Sequence, residues 1–180
     1  MNKSIIHHSW TPILKELNTD EFLFFKYEIL PKEKYYPEAD KVFRVFSMPV
    51  SSIKVVLVGS AKLPNIREKE EQGLFWLPLS LTSGVTIDHA PYWESFLKTV
   101  LYFIARSNPC IWLFPSHEAQ RFIANLPRKS IFNVQRYTDE TIQLIPLNED
   151  YNYIFRGIYV NNLEYVNVIL KKKGQKTINW

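Results

Sequence analysis

The run Ile53-Lys54-Val55-Val56-Leu57-Val58 constrains this chain more than any other stretch, because its apolar residues follow one another without alternation and stop at Gly59. A strand with one wet face alternates apolar and polar residues. One covered on both faces does not, and the parallel sheet of an α/β domain is its usual setting. The run therefore predicts a central strand that turns at Gly59-Ser60. Ligands of open α/β sheets sit outside the carboxyl ends of such strands, which puts the expected chemistry after Val58. Yet Gly59-Ser60-Ala61-Lys62-Leu63-Pro64 holds no acid, histidine or thiol. Taken alone, the stretch reads as a core strand with a turn glycine before it reads as a binding loop.

Around this strand the pattern alternates between helix and strand. Trp10, Ile13, Leu14, Leu17, Phe22, Phe25 and Ile29 recur at helical spacing over residues 9–30, as one helix or two, with Ser9 as N-cap and Pro31 as the stop. A short helix over 38–46 buries Val42, Phe43 and Phe46, and a charged helical turn over 67–72 closes at Gly73. Strands follow at 74–79 and 111–114, separated by a periodic helix from His89 to Arg106 with Phe96, Val100, Leu101, Phe103 and Ile104 inward. Then come a helix at 118–125, strands at 130–135 and 141–145, an aromatic and polar loop at 146–155, and a last helix at 161–173. This order predicts an α/β fold, a mostly parallel sheet covered on both faces, in one domain spanning 1–180.

Composition excludes more than it selects. A formal charge of +4 and a pI near 9.0 permit contact with nucleic acid without requiring it. Cys110 is the single cysteine, so no intramolecular disulfide is expected, which suits a reducing compartment. His7-His8, His89 and His117 have no zinc spacing, and neither metal nor cofactor is expected. The opening residues lack the apolar core of a signal peptide and no segment reads as a membrane span, so the cytoplasm, or a host cell's nucleus or cytoplasm, is expected.

Several short stretches share one order along the chain. They are His8-Ser9-Trp10-Thr11-Pro12-Ile13-Leu14-Lys15, Tyr36-Pro37 with Val42-Phe43-Arg44-Val45-Phe46, and Lys54-Val55-Val56-Leu57-Val58-Gly59. Leu79-Ser80-Leu81-Thr82, Gly84, His89 through Trp93-Glu94-Ser95-Phe96, Arg156-Gly157 and Ile178-Asn179-Trp180 follow. Together they resemble the family 1 uracil-DNA glycosylases over almost the whole chain: the Ser-Trp helix, the yPp..diF.aF segment, the vKVVilG strand, the LTV and SH…GWe.F elements, RGff and pInW. The compact His89-Ala90-Pro91-Tyr92-Trp93 form is similar to the poxvirus members. The resemblance implies a three-layer α/β/α sandwich with a mostly parallel central sheet, and a family chemistry of hydrolysing the N-glycosidic bond of uracil in DNA repair.

The departures bear on that chemistry. The family follows its strand glycine with Gln-Asp-Pro-Tyr-His, whose Asp orients water and stabilises the sugar cation and whose Tyr blocks thymine. Here Ser60, Ala61, Lys62, Leu63 and Pro64 stand there, and Ala61 has no oxygen to balance an oxocarbenium charge. Counting back from Arg156-Gly157 puts Asn148 in the place of the family's uracil-stabilising His and Asn152 in that of its intercalating Leu. The stretch between Pro64 and Leu79 is too short for the family's proline-rich DNA loop. Trp76 falls either where a Phe stacks on the flipped base or where an Asn reads uracil's edge, and it reads equally as strand-end core. Asp88 reads as a helix N-cap and His89 as a structural or DNA-backbone residue.

These readings expect a glycosylase-type fold without robust activity, serving DNA or a protein partner, with no membrane role. Binding candidates are Ser60, Lys62, Trp76, His89, Asn148 and Arg156, and the degenerate catalytic positions are Ala61 and Asn148. Tyr151, Tyr153 and Phe155 form either an exposed patch for that partner or a loop closed on the domain. The alternative is an active, divergent glycosylase with relocated catalytic groups. A third reading is that the basic tail Lys171-Lys172-Lys173 with Lys176 only adds solubility, in which case DNA binding is weak, salt-sensitive and indifferent to sequence.

Overall fold

Helical turns fill the first third of the chain, and the computed structural model describes residues 6–59, 63–108, 110–124, 153–156 and 160–180. A 3-10 turn at His8–Trp10 runs into α1 (Thr11–Leu14) and a second 3-10 turn at Lys15–Leu17. After a break, Thr19 caps α2 (Asp20–Phe24) by accepting from Phe22 N at 3.2 Å, and a π-helical turn at Phe25–Ile29 follows. The periodic stretch is thus two helical units. Pro31 sits inside a closing 3-10 turn, Leu30–Lys32, rather than just after the last helical residue. Ser9 is not the N-cap. The His7 ring takes that role by accepting from Ser9 N, and the Ser9 hydroxyl instead accepts from Val50 N, tying the first turn to the approach of the central strand.

β1 (Tyr35–Tyr36) is short, and no regular helix forms over 38–46. Lys41 N, Arg44 N and Phe46 N each bond the carbonyl three residues earlier, giving consecutive tight turns that end in a 3-10 turn at Arg44–Ser47. Val42 and Phe46 are buried as the spacing predicts, because three- and four-residue steps recur in tight turns as in a helix.

β2 (Val55–Val58) follows, then α3 (Ile66–Glu71), β3 (Leu74–Leu77), β4 (Ser83–Gly84), α4 (Ala90–Ser107), β5 (Ile111–Phe114), α5 (His117–Ala124), β6 (Tyr153–Arg156) and α6 (Val160–Lys172). β3 stops short of the expected 79 because Pro78 has no N–H to donate to the ladder. The aromatic loop expected over 146–155 is corrected at its end: residues 153–156 form β6, a β-prone Tyr-Ile-Phe run that its Asn- and Asp-rich surroundings disguise. The strands expected at 130–135 and 141–145, and the rest of that loop, lie outside the described residues.

The main sheet has the order β3-β2-β5-β6, every pair parallel, which bears out the α/β expectation. Val55 pairs in register with Leu74 and Ile111, and Leu57 with Trp76 and Leu113. Alternation within these strands divides the core into two layers. Val56, Val58, Phe75, Leu77, Trp112 and Phe114 pack with Trp10, Phe46, Trp93, Phe96 and Val100. Val55, Leu57, Leu74, Ile111 and Leu113 pack with Leu163, Val166, Ile169 and Leu170 of α6 and with Ile178. The amino edge of the sheet is closed by polar contacts. Asn108 Nδ2 donates to the Val50 carbonyl at 3.1 Å, Lys54 Nζ to the Lys176 carbonyl at 3.3 Å, and Asn179 N to Gln72 Oε1 at 2.6 Å. Asn167 holds the tail by exchanging two bonds with the Ile178 backbone. Lys176 and the end of α6 thus lie at the edge opposite the carboxyl ends of the strands.

Phe46 is fully buried, with its ring 5.1 Å from Trp10 and 5.8 Å from Phe96. Phe46→Ala is expected to cost about 3–5 kcal/mol in urea unfolding. Phe24→Ser, at a side chain 53% exposed, is expected to stay within about 0.5 kcal/mol of the parent. Equal losses for the two would refute the layer assignment.

Candidate functional site

Gly59 marks the carboxyl end of β2. Its φ of +87° is one that residues with a Cβ avoid, and a Cβ there would stand 3.0 Å from that of Ala119. Its N–H bonds the Leu77 carbonyl at 2.8 Å, which extends the β2–β3 ladder past Val58. Its own carbonyl accepts from Trp76 Nε1 at 2.7 Å. The Trp76 indole is half-buried against the α6-side core, against which Leu63 and Ile66 also pack. Trp76 therefore sits on a parallel strand next to β2, and its polar atom is committed to the turn.

The third side of this mouth comes from β5. Ser116 ends the strand and caps α5 by accepting from Ala119 N at 3.2 Å, and its Oγ lies 3.5 Å from where a Gly59 Cβ would be. His117 and Glu118 come next, both exposed. The Glu118 carboxyl is held below its ordinary value by its own backbone N–H and then by the Ser116 hydroxyl. Sequence reasoning singled out neither Glu118 nor Ser116 and left His117 as an isolated histidine. The available signal was the Pro115-Ser116 stop after a fully buried strand, since such a stop puts the following residues at the carboxyl edge.

A second concavity of about 280 Å³ opens beside β3's exit, lined by residues 80 and 82–89. His89 forms its inner wall and is 1% exposed. Thr82 Oγ1 accepts from Trp93 Nε1 at 2.7 Å and lies 2.9 Å from His89 Nδ1. The Thr82 hydroxyl thus bridges the indole and the imidazole. Nε2 has no partner among the described residues, and it faces Gly84, where a Cβ would come within 2.5 Å of it. The ring packs edge-on to Phe25 at 4.9 Å. His89 is thus a wall residue rather than one presented to solvent. Asp88 acts at the helix mouth, its carboxylate accepting from Ala90 N at 2.9 Å.

Of the sequence candidates, Trp76 reaches the Gly59 turn and His89 lines the neighbouring concavity. Arg156 ends β6, in register with Phe114 at the same carboxyl edge. Ser60, Ala61, Lys62, Asn148, Tyr151 and Asn152 lie outside the described residues. Among the described residues no cluster of His, Cys, Asp and Glu has metal-binding geometry, and no helix is long and apolar enough to cross a membrane. Cys110 is buried, and loss of solvent pushes its thiol up to about 12, which makes it unreactive.

No protein-family model matches the chain. Over 59 residues it is 36% identical to a uracil-DNA glycosylase of Corynebacterium glutamicum, a match that spans 33% of this chain and only 22% of that relative's length. Among solved structures, mimivirus uracil-DNA glycosylase superposes with a TM-score of 0.71 at 13% identity, covering 100% of this chain and 89% of that one. Two variants of the mimivirus enzyme, each in complex with UGI, give TM-scores of 0.69 and 0.70 at 14% identity. They cover 100% and 98% of this chain, and 91% and 89% of theirs.

Burial holds His89 below its ordinary value of 6.5, against an opposing pull from Glu33 and Asp88. The unfolded chain therefore takes up this proton first. The stability it confers is complete above pH about 6.5 and is lost as the pH falls through 6.5 to the lower folded value. Urea unfolding at pH 7.5 and 5.5 is expected to show this loss in the parent and a smaller one in His89→Gln. An identical slope in both would refute it.

Proposed function

We propose that this chain, whose fold is that of the uracil-DNA glycosylases, is a DNA-associated module without robust glycosylase activity. Ala61, after the glycine that ends the central strand, carries the reading. The groups nearest the missing Cβ of Gly59 are Ala119, Ser116 and Leu79, and its carbonyl is taken by an indole. A glycosidic bond breaks through a sugar cation that needs a carboxylate or an equivalent dipole beside it. The sequence supplies Ala61 where the resembling family has its acid, and the Glu118 carboxylate is held by its own N–H and by Ser116. The modest positive charge and the distant 59-residue likeness to a curated glycosylase support association with DNA over an unrelated ligand.

A second reading, an active enzyme with relocated groups, rests on His117 and Glu118. They begin α5 directly after Ser116, whose hydroxyl lies beside the Gly59 turn. Against it stands the commitment of the Glu118 carboxyl to its own N–H and to Ser116, where it serves the helix start.

The discriminating experiment is incubation of the purified protein with a labelled single-stranded uracil oligonucleotide, alkali treatment, and a gel shift on the same DNA. Unpaired substrate removes the need for a duplex wedge, so the assay reports on the chemistry alone. The expected result is a shift with no strand breakage above the protein-free control. Breakage that disappears in His117→Ala or Glu118→Gln would establish the second reading. Neither breakage nor shift would move the function to a protein partner.

A further inference from the structure

The β1–β4 ribbon presents a face that neither the core nor the Gly59 mouth uses. Tyr36 pairs with Ser83 and Tyr35 with Gly84, and Val85 N donates to the Lys34 carbonyl at 3.1 Å, which sets Lys34 opposite Val85. Opposed residues of an antiparallel pair share a face and neighbours along a strand alternate. Lys34, Tyr36, Ser83 and Val85 therefore point one way, while Tyr35 and Gly84 point inward at His89. The outward four are all exposed, Tyr36 by 71% and Val85 by 72%. We propose that this face binds single-stranded nucleic acid, with one unpaired base stacked on Tyr36 against Val85 and a neighbouring phosphate on Lys34. The proposal rests on the DNA-associated reading above and gives it a surface.

Rigidity, charge and size all support it. The Glu33 carboxylate takes Thr86 N at 2.7 Å and Thr86 Oγ1 at 2.6 Å, clamping the strand of β1 to the segment after β4. A base thus meets a platform that is already ordered, so little entropy is lost on binding. Nearby lysines are neutralised, Lys32 by Glu28 and Lys41 by Glu38, whereas Lys34 makes no ion pair with a described residue. Glu33 keeps its negative charge while it holds Thr86, and strand alternation puts it on the side opposite Lys34 and Tyr36. Four side chains are also far less than the roughly 800 Å² per partner of a stable protein interface, and they match a nucleotide better than a folded protein. β4 leaves the carboxyl end of β3 and α4 starts just beyond it, so the ribbon stands at the end of the sheet that carries Gly59. A strand lying across the mouth would continue onto it.

The test is fluorescence anisotropy of a fluorescein-labelled oligothymidylate with the full chain. Tyr36→Ala is expected to weaken binding about tenfold or more, and Tyr36→Phe to restore it, because stacking needs the ring and not the hydroxyl. Lys34→Gln is expected to flatten the slope of log affinity against log salt by about 0.7, one single-strand phosphate contact. Photocrosslinking with 5-iodouracil in the oligonucleotide is expected to label Tyr36. Tyr36 is exposed, so circular dichroism should show both variants folded. If the parent binds DNA and Tyr36→Ala binds equally well, the ribbon site is refuted while the DNA-associated reading stands. If the parent does not bind the oligonucleotide, both are refuted.

Discussion

A parallel strand that gives both faces to packing has to be covered twice, and this requirement organises the chain. All four residues of β2 are 0% exposed. The cover on one face comes from the first third of the chain and α4, through Trp10, Phe46 and Phe96. The other comes from α6 and the tail, through Val166, Leu170 and Ile178. Sequence-distant segments thus meet across a single strand. At roughly 1.5–3 kcal/mol for each fully buried large apolar side chain, neither layer is dispensable in a fold whose net stability is about 5–15 kcal/mol.

The same arrangement decides where function can sit. The amino edge of the sheet is occupied: Asn108 bonds the loop before β2, and Lys54 and Gln72 hold the C-terminal tail. The carboxyl edge has no such closure among the described residues. It carries Gly59, Trp76, Ser116 and, one step out, the β1–β4 ribbon and the concavity behind it. Thr82 links these parts. Its hydroxyl serves Trp93 on α4 and His89 on the concavity wall, so the rim is fastened to the aromatic layer beneath it through one oxygen. Replacing that oxygen by a methyl would leave buried donors and acceptors unpaired, which costs more than the bonds themselves contribute.

How far this was legible follows from what each residue's pattern encodes. The unalternating 53–58 run and the 3.6-residue period of α4 are local signals of burial, and both elements lie where those signals put them. The 38–46 segment shows the limit of periodicity. Val42 and Phe46 are buried as the spacing demands, but their backbone forms tight turns, because spacing reports which side chains go inward and not which hydrogen-bond ladder holds them. β6 was hidden for a related reason, since polar flanks outweighed three β-prone residues. Trp76 is the clearest case at the site. Its sequence environment fits a stacking residue, a base-reading position and core equally, and the bond that commits its N–H to the Gly59 carbonyl, 17 residues away, has no local signal in the sequence. The outward face of the ribbon was illegible for the same reason, because Lys34 and Tyr36 meet Ser83 and Val85 through pairing that no local pattern announces.

Frame and chemistry are separable in such a mouth, and this makes the proposed loss of activity compatible with an intact fold. Gly59 is constrained by a left-handed φ, by its N–H bond to Leu77 and by the Trp76 indole, so any change there disturbs the sheet. A carboxylate one turn further on would serve the reaction instead, and charges gathered for catalysis cost stability rather than supply it. In the proposed reading, Ala61 offers no oxygen to balance a sugar cation. A base-binding surface on the ribbon draws its rigidity from the bonds between Glu33 and Thr86. Binding held there is independent of the turn, so a chain of this fold can lose the chemistry of its strand end and still hold a nucleic-acid strand across it.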